Sequence, residues 1–316
     1  MADWYYRNRQ QHSIRACPGC GNLVRSNLEY CPYCTRQLGP GRGWKRLQGL
    51  LPQTTLLTGK WPYTRLLLTL LALVFVLQFV TDFFIPAEYR FSSGGFSLAA
   101  QAYTNILMGS NFHLFDLAYG QVWRFVTSCF LHFGLLHIVF NGWAMWDLGR
   151  MVEERWGGRQ VFTVFILAGA AGSAASLFWY TLVWKIPTNS AGASGAICGL
   201  LGIMLGAYYR NRFSLGQFLG QQLVRWAIYI LLFGLVLGAD NGAHVGGFLV
   251  GAGIGYLFPP GSADHPGKGQ SFWRLAFAAS LAISLLSLVF ALVFYLRGYS
   301  HVALLLNQLT SPGGFR

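Results

Sequence analysis

Seven long apolar segments occupy most of the chain between residues 61 and 296, and they constrain its fold more than any other feature. They cover residues 61–85, 125–150, 160–184, 192–210, 222–239, 242–258 and 272–296. A helix needs roughly 20 apolar residues to cross a bilayer, and it satisfies its own backbone hydrogen bonds in lipid. Only 10% of the residues are charged, whereas soluble domains carry about 25%. The sequence therefore predicts an all-α polytopic membrane protein with seven spans.

The basic residues indicate the orientation of these spans. A net charge of +13 would also suit a nucleic-acid binder, but the basic residues concentrate before residue 66 and in short loops. With a cytoplasmic N-terminus, all Lys and Arg lie on the cytoplasmic side except Arg90, Arg124, Lys185, Arg297 and Arg316. This bias follows the positive-inside rule. We predict a cell-membrane protein with its N-terminus inside and its C-terminus outside, and no nucleic-acid partner. The bilayer, with its acidic lipid surface, is the expected partner of the basic N-terminal segment.

The connection between the first two spans is long and rich in aromatic and aliphatic residues. Residues 86–124 are predicted to lie on the outer side. Loops of this length inside a compact fold are uncommon and often functional. The low polar content favours an amphipathic segment in the outer membrane interface, and the alternative is a small external cap with its own core. The second helix is expected to start near Phe133.

Four polar residues within the predicted spans stand out as candidate functional groups. They are His137, Asn141, Ser194 and His244, and such residues are costly in a membrane. Each could simply hydrogen-bond to a neighbouring helix, but the predicted topology puts all four in the outer third of the bilayer. Glycines at helical spacing follow Ser194 (residues 195, 199, 202 and 206) and His244 (residues 247, 251 and 255). Such ridges allow close helix packing, which would bring Ser194 and His244 together.

These residue types suit acyl transfer. A serine hydroxyl becomes a useful nucleophile when an adjacent histidine takes its proton. His137 and Asn141 are one helical turn apart and share a face, so both side chains could donate to the oxyanion of a tetrahedral intermediate. The backbone N–H of Ser194, at a helix N-terminus, is a third candidate donor.

Several motifs resemble those of the rhomboid intramembrane proteases. They are the pair Trp123-Arg124, the segment HFGLLHIVFN from His132 to Asn141, the segment GASG from Gly192 to Gly195, and the segment AHVGGFLVG from Ala243 to Gly251. The resemblance covers residues 61–260. It implies a six-helix core, and a seventh helix in residues 261–316 as in six-plus-one members of the family.

The resemblance also implies specific roles. Ser194 would be the nucleophile, His244 the base, and His137 with Asn141 the oxyanion donors, with no cofactor for catalysis. Substrates would be transmembrane helices of single-span or polytopic membrane proteins, cut near the outer face. The loop ending at Trp123 and Arg124 would lie on the membrane, and Glu153 and Arg155 match a structural polar pair of the family.

Two positions near the candidate dyad need separate comment. Family members often carry an aromatic residue four positions after the serine, where it stacks on the base, but this chain has Cys198. Asp240 lies four residues before His244 and could complete a triad. We favour a solvated charge in a tight outer turn, because the family works with a dyad. Cys198 and Cys129 are expected to be ordinary buried thiols.

The first 40 residues contain two C-x2-C pairs, Cys17 with Cys20 and Cys31 with Cys34. Four thiolates suit tetrahedral Zn²⁺, and the predicted cytoplasmic location disfavours disulfides. The sequence therefore predicts a small zinc ribbon with a structural Zn²⁺ in residues 1–40, joined by a basic linker, 41–60. Two disulfides or unpaired thiols are the alternatives. The expected partner of the zinc ribbon is a cytoplasmic protein.

Two other function classes remain open from the sequence. A non-proteolytic rhomboid-like protein could bind client helices, although the intact Ser194 and His244 argue against it. A transporter could line its pathway with the same polar residues, but no inverted repeat is visible, and the polar residues cluster at one depth.

Overall fold

The computed structural model describes residues 14–17, 22–25, 28, 31–33, 60–84, 98–185, 188–211, 216–237, 239–262 and 268–310. The chain divides into two compact units, residues 1–60 and 61–316. In the first unit, strands β1 (Ile14–Ala16) and β2 (Leu23–Arg25) form an antiparallel hairpin. Cys17 and Cys31 are buried beside Val24. Cys20, Cys34 and nearly all of the predicted linker lie outside the described residues.

The described part of the second unit is mainly helical. Its helices are α1 (Pro62–Phe83), α2 (Leu98–Met108), α3 (His113–Tyr119), α4 (Arg124–Thr127), α5 (Leu135–Trp156), α6 (Gly158–Phe178), α7 (Ser194–Asn211), α8 (Gly216–Leu237), α9 (Asn241–Leu257), α10 (Lys268–Leu296) and α11 (Gly298–Thr310). A 3-10 turn, Ser128–Phe130, follows α4, and a π-helical turn, Trp179–Val183, extends α6. Strands β3 (Asn111–Phe112) and β4 (Asn189–Ser190) pair antiparallel. The prediction of a mainly helical protein is therefore confirmed, and two short two-stranded sheets accompany the helices.

Each predicted span contains one long helix, namely α1 or one of α5 to α10. Within the described residues, three segments are long and apolar enough to cross a membrane: Pro62–Phe83, Gly158–Val183 and Gly269–Leu296. A fourth results if the segments Arg124–Phe130 and Leu135–Trp156, bent by 94°, count as one span. The second long helix begins at Leu135, two residues after the expected start at Phe133. Helix α11, which follows the seventh long helix, was not predicted.

The core lies where α6 and α7 pack against α5 and α9. Its fully buried side chains include Met145, Leu148, Phe165, Leu200 and Met204. Between α7 and α9 the backbones touch, because glycines remove the side chains that would separate them. A Cβ added to Gly202 would lie 2.8 Å from the backbone nitrogen of Ala252. The predicted glycine ridges thus meet face to face and fix the two helices at minimal separation.

At the end of the bundle away from Ser194, Glu153 joins α5 to the start of α1. Its carboxylate accepts hydrogen bonds from the backbone nitrogens of Tyr63 (3.1 Å) and Thr64 (2.8 Å), and from the Thr64 hydroxyl (2.6 Å). Arg155 donates instead to the carbonyl of Met151. The predicted polar pair is thus divided, and Glu153 acts as a buried cap for α1, which has no cap from its own N-terminal residue.

Removal of this cap should destabilise the bundle. We expect Glu153→Ala to lower the free energy of unfolding by about 2–3 kcal/mol, because it leaves three buried donors unsatisfied at a helix N-terminus. Thermal unfolding in detergent measures the effect. Glu154→Ala is the matched control, since Glu154 is exposed and bonds to the Trp61 indole. An equal loss in both variants would contradict the capping role.

The described part of the segment between α1 and α5 packs against the C-terminal helices. Buried residues of α2 and α3 form a small cluster with α10 and α11, made of Ile106, Leu107, Phe115, Phe294, Val302 and Leu305. Arg124 is fully buried beneath it. Its guanidinium donates to the carbonyls of Ile106 (2.8 Å) and Ser110 (3.0 Å) and lies 4.6 Å from the ring centres of Trp123 and Phe294. This segment therefore has a core, but shares it with the seventh long helix and α11.

Candidate active site

Ser194 is the first residue of α7. The chain reaches it through β4 and Gly192, whose φ of +141° favours glycine. The Gly192 nitrogen donates to the carbonyl of Ser128 at 2.9 Å. A Cβ at this glycine would lie 2.8 Å from the imidazole Nε2 of His137. Because Gly192 has no side chain, the turn before the serine can lie directly against His137 on α5. The first N–H groups of α7 have no partner within the helix.

His244 lies in the first turn of α9 and faces the serine. Its Nε2 is 2.9 Å from the Ser194 hydroxyl oxygen, which is hydrogen-bond distance for a base and its nucleophile. The α7–α9 contact sets this distance, since Gly195, next to the serine, and Gly247, about one turn after the histidine, allow the two helices to touch. Cys198 is buried, as predicted, and the aromatic rings in the described ranges include none stacked on His244.

His137 and Asn141 project from α5 toward the turn that precedes Ser194. The backbone nitrogen of Phe133 donates to Nδ1 of His137 at 3.4 Å, so Nδ1 is an acceptor and Nε2 carries the proton of the neutral ring. Nδ2 of Asn141 is buried and has no hydrogen-bond partner in the described part of the chain. Since an unsatisfied buried donor is costly, this amide is free to bind an oxygen that arrives in the cavity.

A cavity of about 610 Å³ contains all four residues. One side is polar and is lined by Ser128, Ser173, Asn189, Ser190 and Asp240 in addition to the four. The other side runs between α5 and α8 and is lined by Leu136, Phe140, Trp143, Trp226, Tyr229 and Ile230. An apolar cavity with a few convergent polar groups is the usual form of a small-molecule or peptide site.

Comparison with known proteins agrees with this geometry. The family model described as "Rhomboid domain" matches residues 119–260, which include α4 to α9 and all four candidate residues. Residues 119–260 are therefore similar to a rhomboid domain. With its several candidate spans, the chain is a multi-pass membrane protein.

Individual relatives are also similar to part of the chain. The chain is 35% identical over 170 residues to "Rhomboid protease GluP" of Bacillus subtilis (strain 168), covering 54% of this chain and 31% of that protein. It is 35% identical over 139 residues to "Rhomboid protease GlpG" of Yersinia pestis (strain Pestoides F), covering 42% and 47%. It is also 32% identical over 131 residues to "Inactive RHOMBOID-like protein 8" of Arabidopsis thaliana, covering 41% and 36%. The chain thus spans less than half the length of these curated relatives.

Asp240, at the edge of the cavity, is not a solvated loop charge as predicted. It is half-buried at the N-cap of α9. One carboxylate oxygen accepts from the backbone nitrogen of Ala243 at 2.9 Å, and the other accepts from the hydroxyl of Ser176. The capping role could have been predicted from the sequence, because Asp240 directly precedes a helix. The contact with Ser176 on α6 could not have been predicted in this way.

A second polar contact, between α1 and the backbone before α5, was also missed. Gln78, within α1, exchanges hydrogen bonds with the backbone of His132, its amide donating at 3.0 Å and its oxygen accepting at 3.1 Å. Gln78 also binds the side chain of Asn105 on α2. The backbone that leads into α5 is thereby tied to α1. A glutamine inside an apolar helix was the available signal, since such residues usually have a partner.

Proposed function

We propose that this chain is an intramembrane serine endopeptidase that cuts transmembrane helices with a Ser194–His244 dyad. The observation that carries the proposal is the distance of 2.9 Å between His244 Nε2 and the Ser194 hydroxyl inside a shared cavity. The rhomboid domain and relatives with "protease" in their names support the same chemistry. No cofactor is needed for it.

The reaction would proceed in two acyl-transfer steps. As Ser194 Oγ attacks the peptide carbonyl, its proton passes to His244, and the carbonyl oxygen becomes an anion. The amide of Asn141, Nε2–H of His137 and the backbone N–H of Ser194 are proposed to stabilise that anion. His244 then gives its proton to the leaving amine, which departs. Water attacks the acyl-enzyme with His244 again as base, and the serine is regenerated.

The apolar side of the cavity supports lateral entry of a substrate. Between α5 and α8 its lining is formed by large aromatic and aliphatic side chains, which suit a transmembrane segment better than a soluble peptide. The substrate helix must unwind where it is cut, because a helical amide is shielded by its own hydrogen bonds. We propose that membrane proteins with one or several spans are substrates, and that helix-breaking residues near the cut favour cleavage.

The proposed orientation is N-terminus cytoplasmic and C-terminus outside, with α1 and α5 to α10 as seven spans in the cell membrane. Its support is the distribution of Lys and Arg. Ser194, His244 and the start of α5 then share the outer side, so cleavage would occur near the outer face.

The test is cleavage of a single-span substrate by the purified protein in liposomes, with the cut located by mass spectrometry, and labelling by a fluorophosphonate probe. We expect one cut in the outer half of the span and covalent labelling of Ser194. A rhomboid-like binder without protease activity, for which "Inactive RHOMBOID-like protein 8" sets a precedent in name, would bind the substrate without cutting it and remain unlabelled. That outcome would overturn the proposal.

We also propose that Cys17, Cys20, Cys31 and Cys34 hold a structural Zn²⁺. Two of these cysteines support the proposal, because the hairpin β1–β2 brings Cys17 and Cys31 into one buried cluster. The turn is held by the Cys17 nitrogen, which donates to the Asn22 carbonyl at 2.8 Å. Four thiolates would complete a closed tetrahedral site, suited to docking a cytoplasmic protein partner rather than to catalysis.

Metal analysis of the purified full chain tests this site. We expect about one zinc per chain, and loss of that zinc in the double variant Cys17→Ser and Cys31→Ser, with cleavage of the model substrate retained. Cys129→Ala is the matched control, because Cys129 is a buried cysteine of the other unit, and its zinc content should equal that of the parent. Zinc retained without Cys17 and Cys31 would contradict the assignment.

A further inference from the structure

Among the described residues, few side chains contact the imidazole of His244 in a way that would orient it. The ring of His244 bonds to Ser194 through Nε2. The small Cys198 occupies the position at which rhomboid relatives often carry an aromatic residue, and the rings in the described segments include none on His244. Among the described contacts, those of the first turn of α9 are therefore the ones that place the imidazole.

That first turn is held tightly against α6. A Cβ on Gly172 would lie 2.6 Å from the carbonyl oxygen of Ala243, and a Cβ on Gly242 would lie 3.1 Å from Cα of Ser176. Asp240 completes this contact with two hydrogen bonds. One carboxylate oxygen caps α9 at the Ala243 nitrogen, and the other accepts from the Ser176 hydroxyl on α6. A single carboxylate thus joins the end of α9 to its neighbour, four residues before His244.

The hydrogen bonds continue from Ser176 to the segment before Ser194. His113, the first residue of α3, lies 3.2 Å from the Ser176 hydroxyl through Nε2. Its Nδ1 accepts from the backbone nitrogen of Thr188 at 3.4 Å, and its own nitrogen donates to the Thr188 carbonyl at 3.2 Å. Because Nδ1 accepts, Nε2 of the neutral ring donates to Ser176, and the Ser176 proton is left for Asp240. Each of these hydrogen bonds therefore has one donor and one acceptor.

Burial keeps His113 in the state that this arrangement requires. The side chain is fully buried, and desolvation lowers its pKa to about 4, although the nearby Asp240 acts in the opposite direction. At neutral pH the ring is therefore uncharged and Nδ1 remains an acceptor. Since Thr188 directly precedes β4, which leads to Gly192 and Ser194, the chain connects the approach to the nucleophile with the helix that carries the base.

We infer that Asp240, Ser176 and His113 form a positioning chain that holds His244 in line with Ser194. This inference rests on the proposed function. Although Asp240 lines the cavity, its carboxylate bonds to Ala243 and Ser176 and not to the dyad. The three residues fix the first turn of α9, and so the base, relative to the turn that presents the serine. Their contribution is to the rate of the proton transfer rather than to substrate binding.

Substitution of Asp240 tests the inference by separating kcat from KM. Loss of a helix cap loosens the first turn of α9, and a small misplacement of a catalytic group is amplified in the rate. We expect Asp240→Ala to lower kcat and the rate of fluorophosphonate labelling by about tenfold, with KM within about twofold of the parent. Asp240→Asn should recover most of the rate, because its amide oxygen can still cap α9 and its NH₂ can bond to Ser176. Equal activity of the alanine variant and the parent would overturn the inference.

Ser176→Ala should lower labelling about threefold to tenfold, and the double variant with Asp240→Ala should be no slower than Asp240→Ala alone, since both changes break one chain. Fully additive losses of labelling in the double variant would overturn the inference. Ser280→Ala is the matched control, because Ser280 is also a fully buried serine in a long helix, on α10, and it should label like the parent.

Two measurements separate this inference from simpler explanations. Thermal unfolding identifies a general loss of structure. If Asp240→Ala and Asp240→Asn lose labelling only in proportion to their lower melting temperatures, a positioning role is excluded. The parent protein reports on the proposed function itself. A parent that neither cuts nor labels removes the protease proposal, whereas a parent that labels at the same rate as Asp240→Ala removes only the positioning chain.

Discussion

Ser194→Ala should lower the rate of cleavage of a single-span substrate in liposomes by about four to six orders of magnitude. The alanine side chain cannot form the acyl-enzyme, and only the oxyanion donors and substrate binding would remain. His244→Ala should cause a loss of similar size, because a serine hydroxyl in a low-dielectric cavity without a base 2.9 Å away stays protonated. Together the two changes should cost no more than one alone, since the two residues act as a unit.

The control for this prediction is Ser287→Ala. Ser287 is buried in α10 and does not line the cavity, so its replacement should leave cleavage within about twofold of the parent. Substrate binding can be checked with the Ser194→Ala protein, which should still be crosslinked by the substrate. Cleavage by Ser194→Ala within tenfold of the parent would mean that the nucleophile is another residue, and the role of the dyad would be lost.

The positions of the long helices could be read from the sequence because their cause is local. Each apolar run must be helical in lipid, since no other open structure satisfies its backbone there. The kink before α5 was also within reach, because the second apolar run is too long for one span. The chain bends there at Gly134, which has a φ of +152°. Helix α11 was missed because its residues, Gly298–Thr310, are apolar on one face only, and packing with α2 decides their place.

The convergence of Ser194, His244, His137 and Asn141 was predictable for a different reason. Ser194 and His244 each precede a glycine ridge, and the ridges determine which helix faces meet. His137 and Asn141 lie one helical turn apart and share a face. Side-chain partners from distant segments were not predictable in the same way. The contact of Asp240 with Ser176, and that of Glu153 with Thr64, join residues 64 and 89 positions apart. Only the tertiary fold brings such pairs together, and any of several polar residues would have fitted the sequence pattern.

Gly251→Ala is expected to have the second largest effect. A Cβ at this position in α9 would lie 2.7 Å from the carbonyl carbon of Gly199 and 2.8 Å from its Cα. These are backbone atoms of α7, so no side chain can rotate away, and α9 must move as a whole. Such overpacking costs about 1–3 kcal/mol or more. Since His244 and Ser194 lie two turns along the same interface, a shift of 1 Å in their separation would lower the rate by about 100-fold.

Gly253→Ala provides the matched control within the same helix. A Cβ at Gly253 would meet no atom within 4 Å, and alanine is the better helix former by about 1 kcal/mol. We expect this variant to unfold at the same temperature as the parent or a higher one, with unchanged cleavage. Gly251→Ala should unfold at a lower temperature and lose fluorophosphonate labelling even at temperatures where it remains folded. Normal labelling of folded Gly251→Ala would show that α9 can shift against α7 without moving His244 from the serine. The backbone contact would then stabilise the bundle without setting the geometry of the dyad.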